Sequence, residues 1–104
     1  MSAGDFFEDR VQDLGTGNSF TPDILGITDT GASEIHNIIH GNDCEVYIEY
    51  DTGISIQIDT LQGEGISQIN KIEINSNRDG MSLRIENTSG ATADYAVTGI
   101  EVID

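Results

Sequence analysis

Tryptophan is missing from this chain of 104 residues, cysteine and proline occur once each, and lysine and arginine together number four. Each scarcity excludes something. The lone Cys44 cannot close an intrachain disulfide, so that kind of covalent staple is out. It stands just before an apolar run and reads as a small buried residue rather than a nucleophile. Four cations, Arg10, Lys71, Arg78 and Arg84, make too thin a basic footprint for nucleic-acid phosphates. They are equally unsuited to an anionic membrane surface. No apolar run approaches the roughly 18 residues of a membrane span, and the start of the chain shows no secretory h-region. Gly63-Glu64-Gly65 lacks the lysine and the glycine spacing of a phosphate loop. No nucleophile elbow or triad order can be read from the Ser, His and Asp present. Neither an enzyme nor a cofactor is expected.

What is present is an acidic chain patterned for strands. Nineteen Asp and Glu give a formal charge of −15, spread along the whole length. Such self-repulsion destabilises a compact state at low salt. Molar salt shrinks the screening length to roughly 3 Å, so the composition fits a protein adapted to brine. Between Cys44 and Asn87 apolar and polar residues alternate: Val46, Ile48 and Tyr50; Ile54, Ile56 and Ile58; Ile72 and Ile74; Met81, Leu83 and Ile85. Side chains on a strand alternate between faces, so each run offers one apolar and one wetted side. Asp51-Thr52-Gly53 is a hairpin turn by its length and glycine. In the last run, residues 93–103, Tyr95 and Val97 share one phase while Ile100 and Val102 share the other, which predicts a bulge or bend at Gly99. The sum is an all-β fold, a small antiparallel β-sandwich or jelly-roll-like domain of about seven or eight strands.

Residues 1–22 read differently, as an N-terminal arm or short helix ahead of a sandwich domain at 23–104. Asp5 and Glu8 have the spacing of a helix cap, and Phe7, Val11 and Leu14 fall on one helical face. Ten residues are too few for a helix stable alone. The segment must dock, either on its own sandwich or on a neighbouring subunit. Ile24, Leu25 and Ile27 suggest a first short strand after Pro22. Residues 34–40 fit a helical turn or a strand, and context favours the strand.

Candidate sites are few. Asn75, Asn77, Asp79, Gly80 and Glu86 match the spacing of a calcium loop. Period-two residues on both sides contradict the helices that such a loop needs, so the stretch reads as a hairpin turn and only a weak metal candidate. His36 and His40 lie about 13 Å apart on a strand, too far to share a metal. Asn87-Thr88-Ser89 is a glycosylation sequon on an expected surface turn. Tyr47 points outward beside Glu45 and Glu49, as an interface anchor or as part of an opposite layer. The carboxylates of the alternating strands all fall in outward phase.

Met81-Ser82-Leu83-Arg84-Ile85-Glu86-Asn87-Thr88-Ser89-Gly90, followed by Ala93-Asp94-Tyr95-Ala96-Val97-Thr98-Gly99, resembles the closing hairpin of small β-sandwich virion proteins of tailed viruses, particularly those infecting salt-loving archaea. The strand Glu45-Val46-Tyr47-Ile48-Glu49-Tyr50-Asp51 has the same style. The resemblance spans residues 40–104 and lies in pattern, not in a diagnostic motif. It implies a virion location, homo-oligomers, and contacts with other capsid or tail subunits, as in head decoration, turrets or head–tail accessories. Phe6, Phe7, Val11, Leu14 and Tyr47 are then the expected interface residues. A glycan- or receptor-binding module is the competing expectation, since sandwiches also host lectins.

Overall fold

Period-two patterning is realised as strands wherever a second strand lies close enough to complete the backbone hydrogen bonds. In the computed structural model, which describes residues 4–23, 32–75 and 80–103, the strands are β1 (Phe6–Leu14), β2 (Ser19–Phe20), β3 (Ala32–His40), β4 (Cys44–Glu49), β5 (Ser55–Leu61), β6 (Gly65–Asn75), β7 (Ser82–Asn87) and β8 (Ala93–Ile103). No helix occurs among the described residues. One four-stranded sheet has the order β1-β8-β3-β6 and the other β2-β7-β4-β5. All neighbours are antiparallel. This interleaving of two four-stranded sheets is a jelly roll.

The core lies between the sheets and is aliphatic. Ile35, Ile38, Val46, Ile74, Leu83, Ile85 and Val97 are buried there, with Tyr95 and Cys44. Each large side chain contributes about 1.5–3 kcal/mol on leaving water. Without tryptophan, the core depends on β-branched residues whose stiff side chains suit a pleated surface.

The expected N-terminal helix is instead β1. Phe7 lies opposite Gly99 and Val11 opposite Tyr95. A spacing of four is even, so it suits a strand as well as a helix. The odd step from Val11 to Leu14 is absorbed by a register shift, at which Asp13 takes a left-handed φ of 53°. Pairing with β8 satisfies a full row of backbone groups, which a ten-residue helix could not outbid. Within residues 4–22 the chain is thus woven into the sandwich: β1 edges one sheet and β2 the other. The strand expected at Ile24, Leu25 and Ile27 lies outside the described residues.

Residues 34–40 form a strand, and their half-regular pattern has a cause. A shift between Ile35 and Asn37 accommodates His36, so Ile35 and Ile38 both reach the core. The bulge predicted at Gly99 is absent. β8 keeps one phase from Tyr95 through Glu101; the extra residue opposite Gly99 and Thr98 is His36 of β3, and the extra residue of β8 itself is Val102, between the partners of Ser33 and Ala32. Glycine is needed at 99 for space: a Cβ there would stand 2.1 Å from the Glu34 carbonyl oxygen and 2.9 Å from the Phe7 ring. One cost of the unbroken phase is a buried carboxylate. Glu101 accepts a hydrogen bond from the Ser33 hydroxyl, 2.7 Å away and also buried.

Candidate interaction surfaces

The two outer faces of the sandwich differ in chemistry. On the β2-β7-β4-β5 sheet, Tyr47 faces Arg84 across strands, and the guanidinium sits 4.1 Å above the ring centroid. Arg84 also pairs with Glu49 and, at 3.0 Å, with Glu86, and it donates to the Ser19 hydroxyl. Burial works against the Arg84 charge, but the hydrogen bonds it donates to Glu49 and Glu86 outweigh that and raise the pKa. The Tyr47 hydroxyl donates to Glu45, and that bond raises the Tyr47 pKa. Tyr47 is therefore engaged within its own subunit, with one cation serving an aromatic face and two carboxylates.

On the outer face of the other sheet, three rows cross the strands. Arg10, Ala96, Ile39 and Ile66 form one; Glu8, Thr98, Asn37 and Gln68 the next; Phe6, Ile100, Glu34 and Glu73 the third. Ile66 is 69% exposed, Phe6 68% and Ile39 36%. Beside Ile39 lie two hollows, one of about 190 Å³ over Ala96 with Arg10 and Glu8 at its side. The other, of about 320 Å³, lies between Ile39 and Ile66, with His40, Glu64 and Asp94 along it. Both are shallow dimples in a sheet. Large apolar side chains held in water on a domain this acidic are the feature of this face that needs explaining.

The residues expected to form an interface divide. Phe7 and Leu14 belong to the core and Val11 packs against it. Phe6, pointing the other way, is free for contact. Asn75 ends β6, whereas Asn77 and Asp79 lie outside the described residues. Among the described residues, no group of three or more His, Cys, Asp or Glu is placed to hold a metal. His36 bonds Glu34 at 2.7 Å. His40 is buried with Nδ1 at 2.7 Å from the Gly63 carbonyl, which makes that nitrogen the donor, and Nε2 at 2.8 Å from the Ser67 hydroxyl. It is a satisfied core histidine.

Asn87 corrects the sequon reading. The residue has no exposed surface. Its Nδ2 donates to the carbonyls of Leu14 and Ala91, at 2.8 and 2.9 Å, while its Oδ1 accepts from the backbone and hydroxyl of Ser89. The backbone is used as well, receiving from Gly17 and donating to Asn18. The nitrogen that would carry a glycan is enclosed, and Asn87 instead ties the end of β1 to the turn between β7 and β8.

Nearby, Cys44 and Tyr95 share the core with the loop at Asp43. Burial, then Asp43 and Asp59, push the Cys44 thiol from 9.0 up to about 12, which rules it out as a thiolate nucleophile near neutrality. Burial, then Cys44 and Asp43, push Tyr95 from 10.0 to about 12, and its hydroxyl donates to the Asp43 carbonyl at 2.9 Å. Asp59 is not in simple outward phase: a shift between Val46 and Tyr47 sets it opposite buried Val46. Sequence reading missed Asn87, Glu101 and the Ile39–Ile66 pair. The adjacent Ile38-Ile39 was the available clue, since neighbours on a strand cannot both face the core.

No protein-family model matches this sequence. Gp30 of Haloferax tailed virus 1 is 36% identical over 105 residues, covering 83% of this chain and 90% of the relative. Among solved structures, the core of Drosophila NLP, whose crystal structure was described for its insight into pentamer formation and histone binding, covers 96% of this chain. The match takes in 98% of that one, with a TM-score of 0.56 and 16% identity. At that identity the likeness speaks for the sandwich fold alone. With 36% identity to Gp30 over 83% of this chain and 90% of the relative, the chain belongs to the family of Gp30, a tailed-virus protein.

Proposed function

We propose that this protein is a structural component of a virion, acting as a head decoration, turret or head–tail accessory subunit. In this reading it works as a homo-oligomer through contacts with its own copies and with other capsid or tail proteins. No catalysis, cofactor, nucleic acid or membrane enters the proposal. The observation that carries it is the outer face of the β1-β8-β3-β6 sheet, where Phe6, Ile39 and Ile66 stand in water on a domain of charge −15. Such a face gains from being covered by another subunit. The kinship to a tailed-virus gene product supplies the setting. The scarcity of cations fits assembly in brine, where carboxylates on adjoining subunits are screened from each other.

Mass spectrometry of gradient-purified particles is the test. The protein should be present at a fixed, repeated copy number, and an Ile39→Glu, Ile66→Lys variant should fold yet be lost from particles. Absence from particles, or normal incorporation of that variant, would sink the reading.

A further inference from the structure

The outer edge of β5 differs in two ways from the edges of the other sheet, β1 and β6. β5 has one strand neighbour, β4, and its span carries a single charge, Asp59. The edge β1 carries Glu8, Asp9, Arg10 and Asp13, and the edge β6 carries Lys71 and Glu73. Edge strands are normally protected by charge. β5 is also apolar in an unusual place. Ile56 lies opposite buried Ile48 and so faces the core side of its sheet, yet it is 50% exposed, and Ile54, at the start of the run, is 56% exposed.

The backbone sets how this edge can pair. Tyr50 donates its N–H to the Ile54 carbonyl at 3.0 Å, and Ile48 and Ile56 are the next in-phase pair. Hydrogen-bonded positions alternate along an antiparallel ladder. Ile54 and Ile56 therefore turn their polar groups toward β4, while Ser55 and Gln57 turn theirs outward. A two-fold axis through Ile56 would set Ser55 of one copy against Gln57 of the other, and the reverse. It would bring Ile56 against Ile56 at the closer spacing of a non-hydrogen-bonded pair, about 4.5 Å between Cα atoms. Ile54 would then stand opposite Ile58. The register shift next to Gln57 ends the regular edge before Asp59, so the carboxylate stays outside the paired stretch.

We propose that β5 is a self-pairing edge, through which two copies of this chain join their β2-β7-β4-β5 sheets antiparallel across residues 55–57. The contact is isologous, as closed two-fold assemblies require, and in a chain this acidic it keeps the one carboxylate of the strand, Asp59, outside the paired stretch. It deepens the assembly reading by naming a partner and an edge.

Sedimentation analysis of the whole protein in molar salt tests it, with circular dichroism to confirm folding. Wild type should sediment as a dimer, and Ile56→Lys, at a half-exposed position, should be a folded monomer. Ile56→Cys should form an interchain disulfide on oxidation, whereas Thr88→Cys, exposed in the turn between β7 and β8, should not. A wild-type monomer, a dimer indifferent to Ile56→Lys, or equal crosslinking at both cysteines would overturn the proposal. The two readings fail separately. A β5 dimer absent from particles removes only the virion role, and a particle protein that stays monomeric removes only self-pairing.

Discussion

The outer face of the β2-β7-β4-β5 sheet satisfies itself, whereas that of the β1-β8-β3-β6 sheet does not. On the first, Arg84 covers Tyr47 and engages Glu49 and Glu86. On the second, Ile39, Ile66 and Phe6 have no such cover. Both faces come from antiparallel alternating strands, of 9 or 11 residues in the β1-β8-β3-β6 sheet and 2 to 7 in the other. The longer sheet thus carries the uncovered apolar side chains and the shorter one the ionic network. The contrast teaches where contact with other subunits has most to gain: desolvating a closed ionic network costs energy, while covering exposed isoleucine releases it.

The largest effect should come from breaking what both faces share. Asn87→Ala strands the carbonyl of buried Leu14 and the amide of buried Ser89. It should cost about 3 kcal/mol or more in chemical denaturation. If the loss is small, the knot is not what joins β1 to the β7–β8 turn. Alkali should follow in size. Cys44 and Tyr95 are held neutral up to about 12, so the unfolded chain gives up these protons first. Stability should be intact below pH 9 and fall as pH rises toward 12. Cys44→Ala should flatten that fall, and an unchanged slope would remove the thiol from the account.

Gly99→Ala tests one sheet alone. The new methyl meets the Glu34 carbonyl and the Phe7 ring, and should cost about 2 kcal/mol. Hydrogen exchange should show β1 loosened while β4 and β7 stay protected. On the other sheet, Arg84→Ala should cost about 1 kcal/mol in low salt and less in molar salt, where repulsion among Glu45, Glu49 and Glu86 is screened. Equal costs at both ionic strengths would show the arginine acting by packing. Ile66→Lys should be the mildest, within about 0.5 kcal/mol for the isolated protein. A large loss of stability there would mean that the face is covered within its own subunit.

The fold class was legible because two-residue alternation holds within each of the runs at 46–50, 54–58, 72–74 and 81–85. Where irregular strands break the period, the sequence misleads. Phe7, Val11 and Leu14 looked helical because a bulge at Asp13 converts an odd spacing into one buried face. Tyr95 and Val97 against Ile100 and Val102 suggest a change of phase at Gly99, whereas β8 holds its phase through a buried Glu101 bound by Ser33 and takes its extra residue only at Val102. The surfaces were less legible still. Ile39 and Ile66 count as core in any tally of apolar residues, and only pairing them in register reveals a shared outer row. Asn87 could not be separated from an exposed sequon, since its partners at Leu14 and Gly17 lie far back in the chain.

The place of β8 has a consequence for how the molecule comes into being. It lies between β1 and β3, so during synthesis β1 has no neighbour to join, and β3 has only β6, until the ribosome has passed Ile103. Up to that moment a nascent chain holds half a sandwich with its hydrophobic lining unroofed. Folding is therefore a late, nearly all-at-once event, slow as distant pairings are slow, and newly made copies depend on their own carboxylates to keep them apart while they wait.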